Sequence, residues 1–194
     1  INNTEIINIL AQKGKNINTA NNNGYTPILF AAEYNPNFEV IYALVELGAK
    51  IEAYKVKGTM LRINTVTPLR LAVVNNNVDV VNSLINLGDD VNFKDLYGFS
   101  ILFIAAAHNS DVKVLELLLN NGAKLKYAND SEGNTPLMGA AYLNSNIDTI
   151  NYLIEASENL GKRNNDGLSF LDYLKENQAL SSEDKQSIFQ RFII

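Results

Sequence analysis

The chain of 194 residues is 46% hydrophobic, enough to bury a core, and its formal net charge is -5. An acidic protein repels phosphate backbones, which argues against a nucleic-acid partner. The absence of cysteine excludes disulfides and thiolate metal sites, and no apolar run is long enough to predict insertion into a membrane. Asparagine and isoleucine are abundant among the periodic apolar positions, which indicates coding bias rather than a low-complexity tract.

The first predicted element is a helix from Thr4 to Gly14, which we interpret as half of a repeating unit, residues 1–20. A short segment then recurs along the chain as Gly24-Tyr25-Thr26-Pro27, Thr65-Val66-Thr67-Pro68, Gly98-Phe99-Ser100-Ile101, Gly133-Asn134-Thr135-Pro136 and Gly167-Leu168-Ser169-Phe170. Its spacing predicts four full units, 21–53, 54–94, 95–129 and 130–163, and a terminal unit, 164–194. Length differences fall in connections, where insertions are tolerated. We expect these units to form a single domain.

Each unit is predicted to hold two helices. A Thr or Ser opens the first helix as N-cap by accepting from free backbone N–H groups, and in three units Pro follows at the first helical position. Two small residues come next, as in Ala31-Ala32, Ala105-Ala106, Ala140-Ala141 and the near match Ala72-Val73. The second helix repeats apolar residues at a period of 3.6. It is predicted to end at a left-handed glycine, Gly48, Gly88 or Gly122.

This pattern resembles the ankyrin repeat over nearly the whole chain. The resemblance implies an all-α fold, a solenoid of stacked helix-turn-helix units with projecting β-hairpin-like fingers. Four full repeats would lie between N- and C-terminal capping part-repeats. The concave face would be made of the fingers and the first helices. In its Asn- and Ile-rich composition the chain looks like a bacterial member of the family.

The chain departs from the ankyrin pattern at one place in every unit. The family usually has a histidine three residues after the capping Thr. Here that place is taken by Leu29, Arg70, Phe103, Met138 and Asp172. Because the side-chain network of that histidine is missing, the sequence predicts that stability depends on apolar stacking.

Catalytic chemistry finds little support in these residues. His108 is the single histidine and is predicted to be an ordinary residue of the concave surface. The pair Asp89-Asp90 is expected in a turn after a capping glycine, and Glu183-Asp184 at the start of a helix that Ser181 opens. No glycine-rich phosphate loop is present. We therefore predict no catalytic residue, no metal site and no cofactor.

A partner site can be carried over from the family, in which finger tips and exposed positions of the first helices make the contacts. Position by position, this gives Tyr25, Glu33, Tyr34, Val66, Val74, Asn75, Leu96, Tyr97, Phe99, His108, Asn134, Tyr142 and Leu143. Rigid aromatic side chains of this kind are common interface anchors. The alternative is that some of them, Phe99 and Tyr142 above all, pack against the next finger and serve only the stack.

The long finger of the second unit is a second candidate site. It is predicted to be an extended hairpin with its turn at Lys57-Gly58. Its partner-binding residues would be Tyr54, Lys55, Lys57, Met60, Leu61 and Arg62. A partner with an acidic rim and an apolar centre would fit them. The alternative is an insertion that folds onto its own neighbours.

These features predict a non-catalytic, monomeric protein–protein interaction module that binds another protein through its concave face and finger tips. Two alternatives stay open: a structural or regulatory partner, such as an inhibitor or assembly factor of an enzyme in the same cell, and a small-molecule binder or enzyme. The chain is expected to be soluble. It begins with Ile1 rather than Met, so a removed signal peptide leaves cytoplasmic and exported locations both open.

Overall fold

The computed structural model describes residues 16–57, 63–74, 78–127 and 129–192. The elements are α1 Pro27–Tyr34, α2 Glu39–Glu46, β1 Tyr54–Lys57, β2 Ile63–Val66, α3 Pro68–Ala72, α4 Val78–Asn86, α5 Ile101–His108, α6 Val112–Asn120, a 3-10 turn Leu125–Tyr127, α7 Pro136–Leu143, α8 Ile147–Ala156, α9 Phe170–Glu176 and α10 Ser182–Gln190. The helices follow one another in pairs, as the repeat predicts. The helix predicted from Thr4 to Gly14 lies outside the described residues.

The helix pairs stack in two layers. The first helices, α1, α3, α5, α7 and α9, pack on one another in chain order, and so do the second helices α2, α4, α6 and α8. The small residues predicted in the first helices are all buried: Ala31, Ala32, Ala72, Val73, Ala105, Ala106, Ala140 and Ala141. Their lack of bulk lets neighbouring helices approach closely. One continuous apolar core runs from Ile28 to Ile188 through every described pair, which is the arrangement of a solenoid.

Three of the five predicted N-caps accept the expected hydrogen bond. The hydroxyls of Thr67, Ser100 and Thr135 accept from the backbone N–H three residues on, at 3.2, 3.0 and 3.2 Å. The prediction is wrong for Thr26, whose hydroxyl is buried and makes no hydrogen bond to any described residue. The Ser169 hydroxyl instead donates a hydrogen bond to Asp172 Oδ2.

The second helices end at left-handed glycines, as predicted, except in the fourth pair. Gly48, Gly88 and Gly122 have φ of 89°, 92° and 89°, a conformation that glycine adopts without a steric penalty. Helix α8 ends at Ala156 and is followed by Ser157, whose backbone is extended, with φ -87° and ψ 125°. The chain therefore leaves the fourth pair along a different path.

A ladder of buried asparagines joins successive pairs. Asn144 donates from Nδ2 to the carbonyls of Ala106 and Asn109, both at 2.8 Å. Asn177 does the same to Ala141 and Asn144 at 3.0 Å. Asn109, Asn144 and Asn177 are 0%, 2% and 1% exposed. Coding bias is therefore an incomplete account of the asparagine content. These side chains donate hydrogen bonds to backbone carbonyls of the preceding pair, and buried carbonyls need such donors.

The long finger forms the predicted antiparallel hairpin. Strands β1 and β2 pair in the register Tyr54 to Val66, Lys55 to Thr65, Val56 to Asn64 and Lys57 to Ile63. The backbone N–H of Lys57 also donates to the carbonyl of Asn23 at 2.8 Å. This bond ties the hairpin to the finger that precedes α1. The turn predicted at Lys57-Gly58 reaches outside the described residues.

In three pairs the residue at the place of the missing histidine makes a local polar contact, which adds to the predicted apolar stacking. Asp172 accepts from the Ser169 N–H at 2.9 Å and from its hydroxyl at 2.6 Å, which closes the start of α9. The sulfur of Met138 lies 3.3 Å from the Thr135 N–H at the start of α7. Arg70 forms an ion pair, described below. Each substitute makes a different local bond, because each side chain has different hydrogen-bonding groups.

Candidate functional site

The first helix pair presents an aromatic row on the concave face. The ring centroids of Tyr25 and Phe30 are 5.2 Å apart, and those of Phe30 and Tyr34 are 6.0 Å apart. Phe30 is 45% exposed and Tyr34 68%, whereas Tyr25 is half-buried. Burial and the negative charge of half-buried Glu33 raise the pKa of Tyr25 to about 12. Phe30 extends this row, although the sequence analysis did not single it out.

The hairpin packs its apolar side against α1 and α3. A cluster separate from the main core consists of Leu29, Val56, Val66 and Leu71. The prediction that Val66 contacts a partner is wrong, because its side chain is 2% exposed and faces this cluster. Tyr54 is half-buried against the same cluster. The two strands therefore fold onto their neighbours, as the alternative interpretation of the finger expected.

The hairpin keeps its basic residues on the surface. Lys55 and Lys57 are exposed on either side of buried Val56, because side chains alternate between the faces of a strand. The remaining predicted contacts, Met60, Leu61 and Arg62, and Asn75 after α3, lie outside the described residues.

A buried ion pair joins the hairpin, α3 and the next finger. Arg70 Nη2 lies 2.8 Å from Asp95 Oδ2, and the Asp95 side chain is fully buried. Asn64 Nδ2 donates to the same oxygen at 3.1 Å. The other oxygen accepts from the backbone N–H groups of Tyr97 and Phe99, both at 3.0 Å. Asp95 therefore fixes the finger tip that carries these aromatic side chains.

A groove of about 430 Å³, here called the concave groove, lies between the third and fourth helix pairs. Phe103 and Phe99 stack in it with centroids 5.0 Å apart, and Tyr142 meets Tyr173 edge-on at 5.6 Å. A Cβ at Gly139 would lie 2.9 Å from the Phe103 ring. The missing side chain of Gly139 therefore makes the room that Phe103 occupies.

The rim of the concave groove combines exposed apolar side chains with acidic residues. The exposed ones are Tyr97 at 39%, Tyr142 at 47% and Leu143 at 46%, and Leu96, next to Tyr97 in the chain, is 61% exposed. Asp130 and Glu132 line the side nearest the finger. Exposed His108 stands at the end of α5, where partial burial and the positive charge of Arg70 lower its pKa. The concave groove therefore joins an aromatic wall to a negatively charged edge.

Asn134 is part of the stack rather than of its surface, so its predicted partner contact is wrong. Its side chain is 8% exposed. Nδ2 donates to Asp130 Oδ2 at 2.9 Å, while Oδ1 accepts from Asn164 Nδ2 at 2.8 Å and from the Tyr173 hydroxyl at 2.9 Å. All its polar atoms are engaged, because it links two neighbouring fingers.

Phe99 and Tyr142 both make the ring contacts that the stacking alternative expects. Phe99 is half-buried against the core and Phe103. Tyr142 nevertheless leaves nearly half of its side chain exposed, as does Leu143 beside it. Stacking therefore accounts for most of Phe99 but not for Tyr142.

Comparisons with known families agree with this architecture. A family model described as ankyrin repeats in three copies matches residues 69–166, and another, ankyrin repeats in many copies, matches residues 2–45. The chain belongs to the ankyrin repeat family. Members of this family are generally non-catalytic protein-interaction modules.

Several ankyrin repeat proteins resemble this one in sequence. A putative ankyrin repeat protein of fowlpox virus is 36% identical over 110 residues, covering 56% of this chain and 32% of that protein. SH3 and multiple ankyrin repeat domains protein 1 of Mus musculus is 32% identical over 108 residues, 56% of this chain and 5% of its own. An ankyrin repeat protein of variola virus is 23% identical over 126 residues, which cover 65% of this chain and 21% of that protein.

The ankyrin repeat chain thus spans a third or less of these relatives. They are viral and animal proteins, so they lend no support to the expected bacterial character. Within the described ranges, no helix is long and apolar enough to cross a membrane. The same ranges hold no group of three or more His, Cys, Asp or Glu residues that could bind a metal ion.

Proposed function

We propose that this ankyrin repeat protein is a non-catalytic, monomeric module that binds another protein through its concave face. The supporting observation is where its exposed large apolar side chains lie. Most of those in the described residues stand on the first helices, just after them, or on the fingers: Phe30, Tyr34, Val74, Leu96, Tyr97, Tyr142 and Leu143. Exposed apolar and aromatic side chains gathered on one face are typical of an interaction site.

The charges around this surface favour particular partner chemistry. At the concave groove, Asp130 and Glu132 stand beside aromatic side chains, which suits an apolar anchor flanked by basic residues. At the hairpin, exposed Lys55 and Lys57 would meet an acidic rim on the same partner. The hairpin is thus a second contact, separate from the aromatic one.

The test is affinity capture from candidate cells with the parent protein and a Tyr34→Ala/Tyr97→Ala/Tyr142→Ala variant. Truncation of an aromatic anchor costs about 2 kcal/mol or more, so the variant should lose the partner that the parent holds. Phe38→Ala is the matched control, because Phe38 is 40% exposed at the start of α2, away from the concave face. Equal capture by all three proteins, each folded by circular dichroism, would exclude the concave face.

A Lys55→Glu/Lys57→Glu variant tests the hairpin separately. Both side chains are exposed, so the reversal should leave the fold intact and weaken binding in a salt-dependent way. Unchanged affinity would mean that the hairpin only supports the stack. The identity of the captured protein then decides whether the module is an inhibitor or assembly factor of an enzyme.

A further inference from the structure

The turn after each second helix is closed by a buried residue in the first three pairs. Ala49, Asp89 and Ala123 follow the capping glycines and are 6%, 7% and 8% exposed. In the fourth pair the corresponding residues are Ser157 and Glu158. They precede Gly167 by the same numbers of residues as Gly88 and Asp89 precede Gly98. Glu158 is exposed, and the extended backbone of Ser157 turns the chain away. The fourth pair therefore lacks the side chain that closes this turn elsewhere.

A second closing device is also missing there. Asn92 Nδ2 donates to the Gly122 carbonyl at 3.0 Å and Oδ1 accepts from the Lys124 N–H at 3.0 Å. Asn18 makes the same pair of hydrogen bonds, donating to the Gly48 carbonyl and accepting from the Lys50 N–H. The corresponding residue in the next finger is Lys126, whose ammonium group can donate hydrogen bonds but cannot accept one. It cannot make this two-way link to the turn after α8.

The result is an open groove of about 720 Å³ beneath the fourth pair, here called the lower groove. This volume lies in the range of ligand-binding sites. Its apolar lining comes mainly from Leu119, Leu125, Pro136, Leu137, Leu160 and Phe170. Lys124, Lys126 and Lys162 also line it, against a single acidic residue, Glu158. On a chain of net charge -5, the lower groove is therefore a locally basic surface over an apolar floor.

The second pair shows what binds at the corresponding point. Asp89 Oδ2 accepts from the Leu69 N–H at 2.8 Å, at the start of α3. Leu137 is the second residue of α7, as Leu69 is of α3, and it lines the lower groove. The Leu137 N–H belongs to the first turn of α7, whose N–H groups have no acceptor within the helix. A carboxylate from outside the chain can therefore occupy the place that Asp89 fills in the second pair.

We propose that the lower groove binds a peptide segment of a partner protein in which apolar side chains flank an aspartate or glutamate. The apolar side chains would cover the leucine and phenylalanine floor. The carboxylate would meet the Leu137 N–H and the lysines. This site lies on a different surface from the concave face, so it does not depend on the function proposed above.

The test is a selection of short peptides from a random displayed library on the parent protein, with removal of those that also bind a Ser157→Gly/Glu158→Asp variant. This variant copies Gly88-Asp89, so its own carboxylate should cap α7 and exclude the ligand. The closed turn should keep its melting temperature at or above that of the parent. The remaining peptides are labelled with fluorescein, and their affinities are measured by polarisation.

The expected peptides carry Asp or Glu between apolar residues and bind the closed variant at least about tenfold more weakly, as for loss of a charge-assisted hydrogen bond. A Lys124→Glu/Lys162→Glu variant should lose them as well. Lys113→Glu, at an exposed position at the start of α6, and Tyr142→Ala on the concave face should keep them.

Either of two results would overturn the proposal. In the first, every selected peptide binds the parent and the closed variant equally, which would mean that the lower groove is not a peptide site. In the second, no peptide is selected but decanoate binds the parent and not the closed variant. The lower groove would then hold a small apolar anion rather than a segment of a protein.

Discussion

Asp89 stabilises the start of α3 by a hydrogen bond, and its contribution to the free energy of unfolding depends on pH. It is 7% exposed and accepts the hydrogen bond at the start of α3. Burial raises its pKa from 3.8 to about 6, although the bond to Leu69 acts in the opposite direction. It lies in the turn after the capping Gly88, as the sequence predicts. Only its contact with α3 reveals why an acid stands where the first and third pairs have alanine.

The raised pKa of Asp89 predicts a pH-dependent stability. A group whose pKa is raised by folding stabilises the protein fully below its unfolded value, and this contribution is lost as pH rises through the folded value. The Asp89 contribution should therefore decline between about pH 4 and pH 6, by up to about 3 kcal/mol at 1.36 kcal/mol per pKa unit. Asp89→Asn keeps the acceptor and should remove this decline in urea unfolding.

The matched control for that titration is Asp172→Asn. Its hydrogen bonds to Ser169 lower the pKa of Asp172 to about 2, so its contribution is lost as pH falls below about 4. The two variants should thus differ from the parent in opposite directions along the pH axis. A stability difference between Asp89→Asn and the parent that is the same at pH 4 and pH 7 would contradict the assignment.

Loss of Asn144 should destabilise the stack by removing two hydrogen bonds between neighbouring pairs. Alanine there leaves the buried carbonyls of Ala106 and Asn109 without their donor, at roughly 1–3 kcal/mol for each group. We expect Asn144→Ala to lower the free energy of unfolding by more than about 2 kcal/mol. Asn82→Ala, on the exposed side of α4, should change it by less than about 0.5 kcal/mol. Equal losses in the free energy of unfolding for the two variants would show that the asparagine ladder does not stabilise the stack.

At the scale of elements, the contact between α5 and α7 depends on a glycine. Gly139 stands inside a helix, where alanine would be favoured by about 1 kcal/mol. Its Cβ would, however, press on the Phe103 ring at 2.9 Å. The sequence pattern alone gives no reason for this glycine, because Phe103 lies on another helix.

A double-mutant cycle separates these two effects. Gly139→Ala alone should be neutral or destabilising, because the ring must shift. Combined with Phe103→Leu, the same change should become stabilising relative to Phe103→Leu alone by up to about 1 kcal/mol, through helix propensity. Unfolding in urea measures all four proteins. Strict additivity would show that the ring yields at no cost.

At the scale of the whole molecule, each helix pair depends on its neighbours. Helix α9 packs on α7, with Phe170 and Leu174 buried at 2% and 0% exposure. In a stacked protein, loss of one pair exposes the next but leaves distant pairs in place. We therefore expect removal of residues 164–194 to abolish amide-exchange protection in α7 and α8 while α1 and α3 keep theirs.

A full-length variant controls for the possibility that the truncated protein simply fails to fold. Leu174→Ala should weaken the same interface by about 2–5 kcal/mol and lower protection chiefly in α7 to α10. Uniform loss of protection along the whole chain, in both proteins, would instead indicate a single all-or-none unit. That outcome would contradict the nearest-neighbour account of the stack.

The sequence-based prediction is correct where one residue and its immediate neighbours decide the local structure. Helix starts at Thr67, Ser100 and Thr135 and the left-handed glycines follow from bonds a few residues long. It was wrong for Val66 and Asn134, because family position does not report which side a particular side chain faces. It missed Phe30, which is exposed on α1 between the rings of Tyr25 and Tyr34.

The sequence by itself determined the ankyrin repeat, its helix pairs and the hairpin. These follow from periodicity, capping and turn preferences, which act over short distances. The tertiary structure alone decided the Arg70–Asp95 ion pair, the asparagine ladder and the two grooves. Their members are separated by many residues in the chain, so they meet only after the pairs have stacked. Burial then determines which polar groups must find partners.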